Sequence, residues 1–393
     1  MPLTRWLEVG LWLTSAGLVG LSLWVVLPAP TFAFLPLSVG VPELSPLLWL
    51  LSGGVLLVAV SAVFFGVSAG PLLLSLIAVV LFSWPLVQIP ATIYRTHQSL
   101  LSLQDWQRST PISTYQRRRP IDLAQCLTGI PRPALGDPQD DVVAQPDGIP
   151  LRLRVYRPRD EGVYPGVVVI YGGAWQRGSP DQDAKFHQVI ASWGYTVLAL
   201  DYRHAPAYRF PTQLEDVRLG MHYIREHGAE LGVNPQRLAV LGRSAGSQLA
   251  MLLGYDLSLD VRAVINFYGP VDLAAAYAHP PVPDPIDTRA VLTAFLGGSP
   301  AQVAQRYQEA SPIHHVRPGL PPTLLFYGQR DHVVQPHYGQ QLAQALRQQG
   351  NIAVWIPIPW ADHAFDAVVH GLSSQLALYA TERFLAATLQ RES

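Results

Sequence analysis

The chain is poor in two features that often fix a fold or mark a partner. A single cysteine, Cys126, cannot close an internal disulfide or supply a thiolate metal cluster, so the fold must rest on core burial or on lipid. Only 14% of the residues are charged, the net charge is −1, and no like-charge run exceeds Arg117-Arg118-Arg119. That leaves no electrostatic footprint for a nucleic-acid partner. Internal repeats and low-complexity tracts are missing too. Apolar residues are in excess: they make up 49% of 393, with a mean hydropathy of +0.19. Such values exclude a disordered or fibrous chain.

The few charges are unevenly placed. Between Val9 and Tyr94 the only one is Glu43, whereas the chain beyond Tyr94 has the charge density of a water-soluble domain. Uncharged runs at 10–27, 47–65 and 71–89 each approach the ~20 residues needed to cross hydrocarbon. They predict three transmembrane helices within a membrane region 1–90, with the lipid bilayer as a partner. A cleaved signal peptide is the other reading of the first run, but its apolar core exceeds the usual length of about 7–15 residues. No clean small-residue cleavage site follows it. Trp6, Trp12, Trp24, Trp49 and Trp84 lie near the run ends, as interfacial anchors do. Gly66 to Gly70 fits G-x-x-x-G but reads better as a tight turn between helices than as a packing face. Arg95, Arg108 and Arg117 to Arg119 outweigh Arg5 on the opposite flank, which tips the C-terminal domain toward the cytoplasm. Residues 91–137 are expected to form a connector or lid. Within it, Ile93, Leu100, Leu101, Leu103 and Trp106 suit an amphipathic helix leaving the membrane.

From about residue 138, short Val/Ile/Leu-rich runs alternate with helical patterns. Strands are expected at 151–156, 166–171, 196–200, 237–241, 261–267, 323–327 and 352–358, with helices near 182–193, 212–230, 244–255, 335–349 and 370–390. Continuous apolar strands need cover on two faces, so the alternation predicts a mostly parallel sheet between helical layers. In such sheets the chemistry sits beyond the carboxyl ends of the strands.

The loops at those ends carry a consistent set of residues. Strand 237–241 runs into Gly242-Arg243-Ser244-Ala245-Gly246, a G-x-S-x-G turn in which the glycines leave room for a sharply presented serine. A nucleophilic serine needs a base, and the base needs an acid to hold its tautomer. Asp331 follows strand 323–327 and His363 follows strand 352–358, in the order Ser, Asp, His. Asp362 and Asp366 are the competing acids, but a carboxylate one residue away points with difficulty at its neighbour's ring. The glycine pair in Tyr171-Gly172-Gly173-Ala174-Trp175, with the N–H of Ala245, offers donors for an oxyanion.

YGGAW at 171–175, DYRHAPAYRFP at 201–211, NPQRLAVLGRSAGSQLA at 234–250, SPIHHVRPGLPPTLLFYGQRDHVV at 311–334 and ADHAF at 361–365 together resemble the α/β-hydrolases of the hormone-sensitive-lipase and BD-FAE-like carboxylesterase groups. The resemblance spans about residues 140–390. It implies an eight-stranded, mostly parallel sheet with helices on both faces and hydrolysis of carboxylic esters. It implies no metal and no cofactor, with Ser244 as nucleophile, Asp331 as acid and His363 as base. Gly173, Ala174 and Ala245 would supply the oxyanion hole. The chain departs from the pattern at Tyr171, where His is common, at Ala174 and Ser247, where Gly is, and at Ala207, where Glu is. An amide hydrolase similar to the kynurenine formamidases would use the same residues. A non-catalytic receptor similar to the gibberellin receptors would lack His363. With the membrane segment, the expected substrate is a small, lipophilic ester, and the hydrolase domain 138–393 is expected to fold and act on short esters without the first 136 residues.

Overall fold

The computed structural model describes residues 2–103, 116–131 and 135–389. Trp106 and Arg108 lie outside the described residues, as do parts of the expected connector or lid.

The N-terminal third is helical. α1 spans Pro2–Ser22, α2 Leu35–Glu43, α3 Ser45–Val63 and α4 Gly70–Leu100. Three helical segments, Thr4–Val25, Ser45–Val63 and Gly70–Leu103, are long and apolar enough to cross a membrane. The expected three-run pattern therefore has helices beneath it, with two differences. The third run does not stop at 89, because α4 continues through Pro85 and Pro90 to Leu100. A helix of 31 residues is about 46 Å long, well beyond the ~30 Å hydrocarbon layer. The residues between the first two runs are also ordered: Phe32–Phe34 form a 3-10 turn that leads into α2. At the glycine-rich connector, Gly66 (φ +85°) does lie in a turn, but Gly70 is a packing position. A β-carbon there would stand 2.1 Å from the indole of Trp12. The sequence hides this because the contact partner is 58 residues away.

The rest of the chain builds one eight-stranded sheet in the order β1-β2-β4-β3-β5-β6-β7-β8. The strands are β1 (Gln139–Ala144), β2 (Leu151–Tyr156), β3 (Tyr164–Ile170), β4 (Thr196–Leu200), β5 (Val233–Arg243), β6 (Ala263–Phe267), β7 (Thr323–Gly328) and β8 (Ala353–Ile358). β1 and β2 pair antiparallel with their neighbours, and the remaining pairings are parallel. Parallel order demands crossovers, which α5 (Ala184–Ser192), α6 (Thr212–Glu226), α7 (Ala245–Gly254) and α8 (Pro336–Gln348) supply. Side chains alternate across the pleat, so Leu200, Val240 and Val264 share one face while Phe267 looks to the other. Gly220 of α6 comes up against Leu200, and Gly254 of α7 against Val264 and Val240. Phe186 of α5 meets the ring of Phe267 on the opposite face. Helices thus cover both faces.

The boundary expected near residue 138 is not where the core ends. Leu100 and Leu103 belong to the same buried cluster as the sheet residues, and so does Cys126. Ser99 Oγ donates to the Trp355 carbonyl in β8 at 2.8 Å, and His97 Nε2 lies 3.0 Å from the Tyr379 hydroxyl. Tyr379 belongs to α9 (Leu372–Leu389), a helix buried along its whole length. Glu382 of α9 accepts from the backbone N–H groups of Gln116 and Arg117, at 2.7 and 3.1 Å. A helix buried on all sides needs cover from outside the sheet, and α4 with residues 116–126 provides it.

Candidate active site

β5 turns into α7 at Ser244, whose backbone adopts φ 51°, ψ −122°. Both flanking glycines are enforced by close approach. A β-carbon at Gly242 would stand 2.3 Å from the Gly246 carbonyl oxygen, and one at Gly246 would stand 2.2 Å from that of Ile170. Ser247, at the position where glycine is common, has a job of its own: its hydroxyl donates to the Gly242 carbonyl, and it accepts from Phe267 N–H at 3.0 Å. It pins the start of α7 to the end of β6.

The structure brings Ser244, His363 and Asp331 into one line. His363 Nε2 lies 2.9 Å from Ser244 Oγ, and His363 Nδ1 lies 2.8 Å from Asp331 Oδ2. The other Asp331 oxygen accepts from the N–H groups of Val333 and Val334 at 2.8 and 2.7 Å. Asp362 does not reach the imidazole ring. Its Oδ1 accepts from the His363 and His332 backbone N–H groups instead, at 2.7 and 3.3 Å. Burial on its own pushes the His363 pKa down, but the Asp331 carboxylate at Nδ1 outweighs it, so the imidazole holds its proton above its ordinary value.

Gly173 and Ala174 border the same cavity as Ser244 and Ala245. Among the described residues, nothing accepts a hydrogen bond from the N–H of Gly173 or Ala174. Ala245 opens α7, where a backbone N–H has no intrahelical acceptor. Tyr171 stands where histidine is common: its hydroxyl donates to Asp201 Oδ1 at 2.5 Å and lies 3.0 Å from His204 Nε2, and its ring stacks on Tyr202. The glycine loop is thereby tied to the loop that follows β4.

Several residues at the site were not legible from spacing. Arg243, beside Ser244, is buried; its Nε donates to Asp366 Oδ2 at 2.5 Å, with Asp183 Oδ2 at 3.4 Å. Its guanidinium lies over the Phe186 ring at 4.4 Å. The Tyr268 hydroxyl donates to the other oxygen of Asp366, and the Tyr268 ring meets that of His363 at 4.7 Å between centroids. An ion pair spanning 123 residues leaves no local signal, although a charged residue inside G-x-S-x-G invites the search. The cavity measures about 350 Å³ and is lined mainly by apolar side chains. Phe32 and Leu35, from the segment between α1 and α3, are among them.

Strand order, parallel register and a serine-bearing turn at the carboxyl edge define an α/β-hydrolase fold. Residues 153–346 match the BD-FAE family model. The probable carboxylic ester hydrolase LipM of Mycobacterium tuberculosis is 28% identical over 240 residues, covering 57% of this chain and 54% of LipM. Esterase LipC of the same organism is 30% identical over 239 residues, covering 54% and 57%. The chain thus spans about half the length of these curated relatives. Among solved structures, a propionate-bound thermophilic esterase, Est2 of Thermogutta terrifontis, aligns with TM-score 0.55 and 26% identity over 66% of this chain and 98% of that one.

Proposed function

We propose that the chain is a membrane-anchored serine hydrolase that cleaves lipophilic carboxylic esters. The observation that carries this reading is the line Asp331–His363–Ser244, with contacts of 2.8 and 2.9 Å, at a largely apolar cavity. Likeness to LipM, LipC and Est2 supports the ester as substrate class. In the proposed reaction Ser244 Oγ gives its proton to His363 Nε2 as it attacks the ester carbonyl carbon. Negative charge collects on the carbonyl oxygen, facing the N–H groups of Gly173, Ala174 and Ala245. Asp331 holds the imidazole tautomer and stabilises the imidazolium. His363 then protonates the departing alkoxide, leaving an acyl-enzyme on Ser244. A water molecule, deprotonated by the same imidazole, attacks the acyl carbon and restores the serine.

In this reading the three long apolar helices, Thr4–Val25, Ser45–Val63 and Gly70–Leu103, cross the bilayer. Arg95, Arg118 and Arg119 on the hydrolase side favour the cytoplasmic face for the domain. A fluorophosphonate probe on the full chain tests the serine, and a panel of acyl esters and N-formyl amides tests the bond class. Labelling with ester turnover is expected; turnover of formamides alone would replace the ester reading with the amidase one.

A further inference from the structure

We propose that residues 28–43, the segment joining the first two apolar helices, form a wall of the substrate pocket, and that the pocket takes a fatty-acyl ester whose chain reaches it from the bilayer. The proposal rests on the ester reading above and extends it.

Phe32 and Leu35 border the cavity that Ser244 and His363 open into. The Phe32 ring stands 4.6 Å from the Arg177 guanidinium, and Arg177 N–H donates to the Gly173 carbonyl at 3.2 Å. The wall is therefore linked to the glycine loop through Arg177. It is also fixed at both ends. Arg330, next in sequence to Asp331, donates to the carbonyls of Trp24 and Leu27 at 3.3 and 3.1 Å. At the far end Glu43 is fully buried and accepts from Ser373 N–H at 2.7 Å and from the Ser373 hydroxyl.

Chain length sets where this wall lies. Phe32 follows Val25, the last residue of the first long apolar helical segment, by seven residues, which span at most about 25 Å when extended. Part of that stretch is helical and shorter still, and Leu35 is ten residues from Ser45, where the second apolar helix begins. In the membrane reading, the rim of the pocket thus lies within about 25 Å of the end of the first apolar helix. Val26, Leu27 and Phe32 are each more than 40% exposed and give the approach to it an apolar surface, with no charged residue from Val9 to Pro42. An alkyl chain moving along such a path exposes little of itself to water, and each methylene kept dry is worth about fourfold in binding.

The test uses the full chain in phosphatidylcholine vesicles, with p-nitrophenyl acetate and p-nitrophenyl palmitate as substrates. Phe32→Ala is expected to lower kcat/KM for the palmitate about tenfold, chiefly through KM, and to leave the acetate within about twofold. Phe32→Leu, which keeps the wall apolar, should recover most of the loss. Phe34→Ala, on the same turn but away from the cavity, should change both substrates by less than about twofold. Fluorophosphonate labelling of each variant checks that Ser244 is still presented. Equal effects of Phe32→Ala on the two substrates, no effect on either, or an equal effect from Phe34→Ala would overturn the proposal and leave the ester reading standing. A wild-type chain that labels but turns over neither ester would remove the ester reading, and this proposal with it.

Discussion

The two regions of this molecule use the same apolar residue types in opposite places. In the hydrolase domain Leu324, Leu325, Val240 and Ile265 are fully buried in the sheet. In the helical region many large aliphatics face outward, Leu57 at 70% exposure and Val80 at 60%, while Ser15, Ser75, Ala59, Ala62 and Ala78 share the interior with a few large side chains such as Leu18, Val25 and Phe82. Ser15 and Ser75 bond to each other across α1 and α4 at 2.9 Å, and Trp49 Nε1 donates to Ser83 Oγ at 2.8 Å. Small and hydroxyl-bearing residues at helix contacts suit a solvent as apolar as leucine itself, where burial of large aliphatics gains nothing. Under the proposed membrane reading, each region is ordered by the solvent it excludes or matches, and hydropathy alone cannot tell the two cases apart.

The comparison breaks first at the chemistry, which we place entirely in the hydrolase domain. Ser244→Ala is expected to reduce kcat about 10⁴- to 10⁶-fold with substrate affinity little changed. Serine-probe labelling that persists in this variant would refute the assignment. Asp331→Asn should lose about 10⁴-fold in kcat, by favouring the wrong imidazole tautomer. Asp362→Asn should lose less than about tenfold, since Asp362 holds backbone and not the ring. The reverse ranking would move the acid role to Asp362.

A stability pair sharpens the contrast between the regions. Leu324→Ala should cost about 2–5 kcal/mol in detergent micelles, as large-to-small changes in a packed core do. Leu57→Ala should cost under about 0.5 kcal/mol. Equal costs would mean that Leu57 has a protein partner. The smallest effect is a shift in pH dependence. His363 must be neutral to accept the serine proton, and its pKa is raised in the folded chain. Because the imidazole keeps its proton to higher pH, kcat/KM should fall as pH drops through a midpoint above the ordinary 6.5. A midpoint below 6.5 would mean that burial outweighs Asp331.

The parallel strands were legible because Val/Ile/Leu runs bounded by turns have few other uses, and Ser244, Asp331 and His363 because chain order and strand ends agreed. β1 was harder to read. Its sequence Gln-Asp-Asp-Val-Val-Ala is an exposed edge strand, with Asp140 bonded to Arg154 at 2.8 Å, and it has no buried face to produce alternation. The continuation of α4 past residue 89 is masked by Pro90, since a proline normally ends a helix in water. Residues 28–43 look like featureless apolar chain because their contacts, with Arg177, Arg330 and Ser373, come from far along the sequence. For the same reason nothing in the sequence from 138 onward announces that its last helix needs α4 as cover. A chain starting near Asp137 would strip Tyr379, Glu382 and Arg383 of their partners at His97, Gln116 and Arg117.

α4 is one continuous helix with Pro85 and Pro90 inside it, and its end is stitched to the sheet through Ser99, Leu100 and the following Leu103. A globular head on a slack tether samples many headings, so a given face meets the lipid surface only part of the time. In the proposed bilayer setting, a head joined to the end of a transmembrane helix would share that helix's lean. Under the proposed function, the angle of attack on a bilayer ester would then follow the thickness and packing of the surrounding lipid. Its encounter with substrate would be a search across a plane.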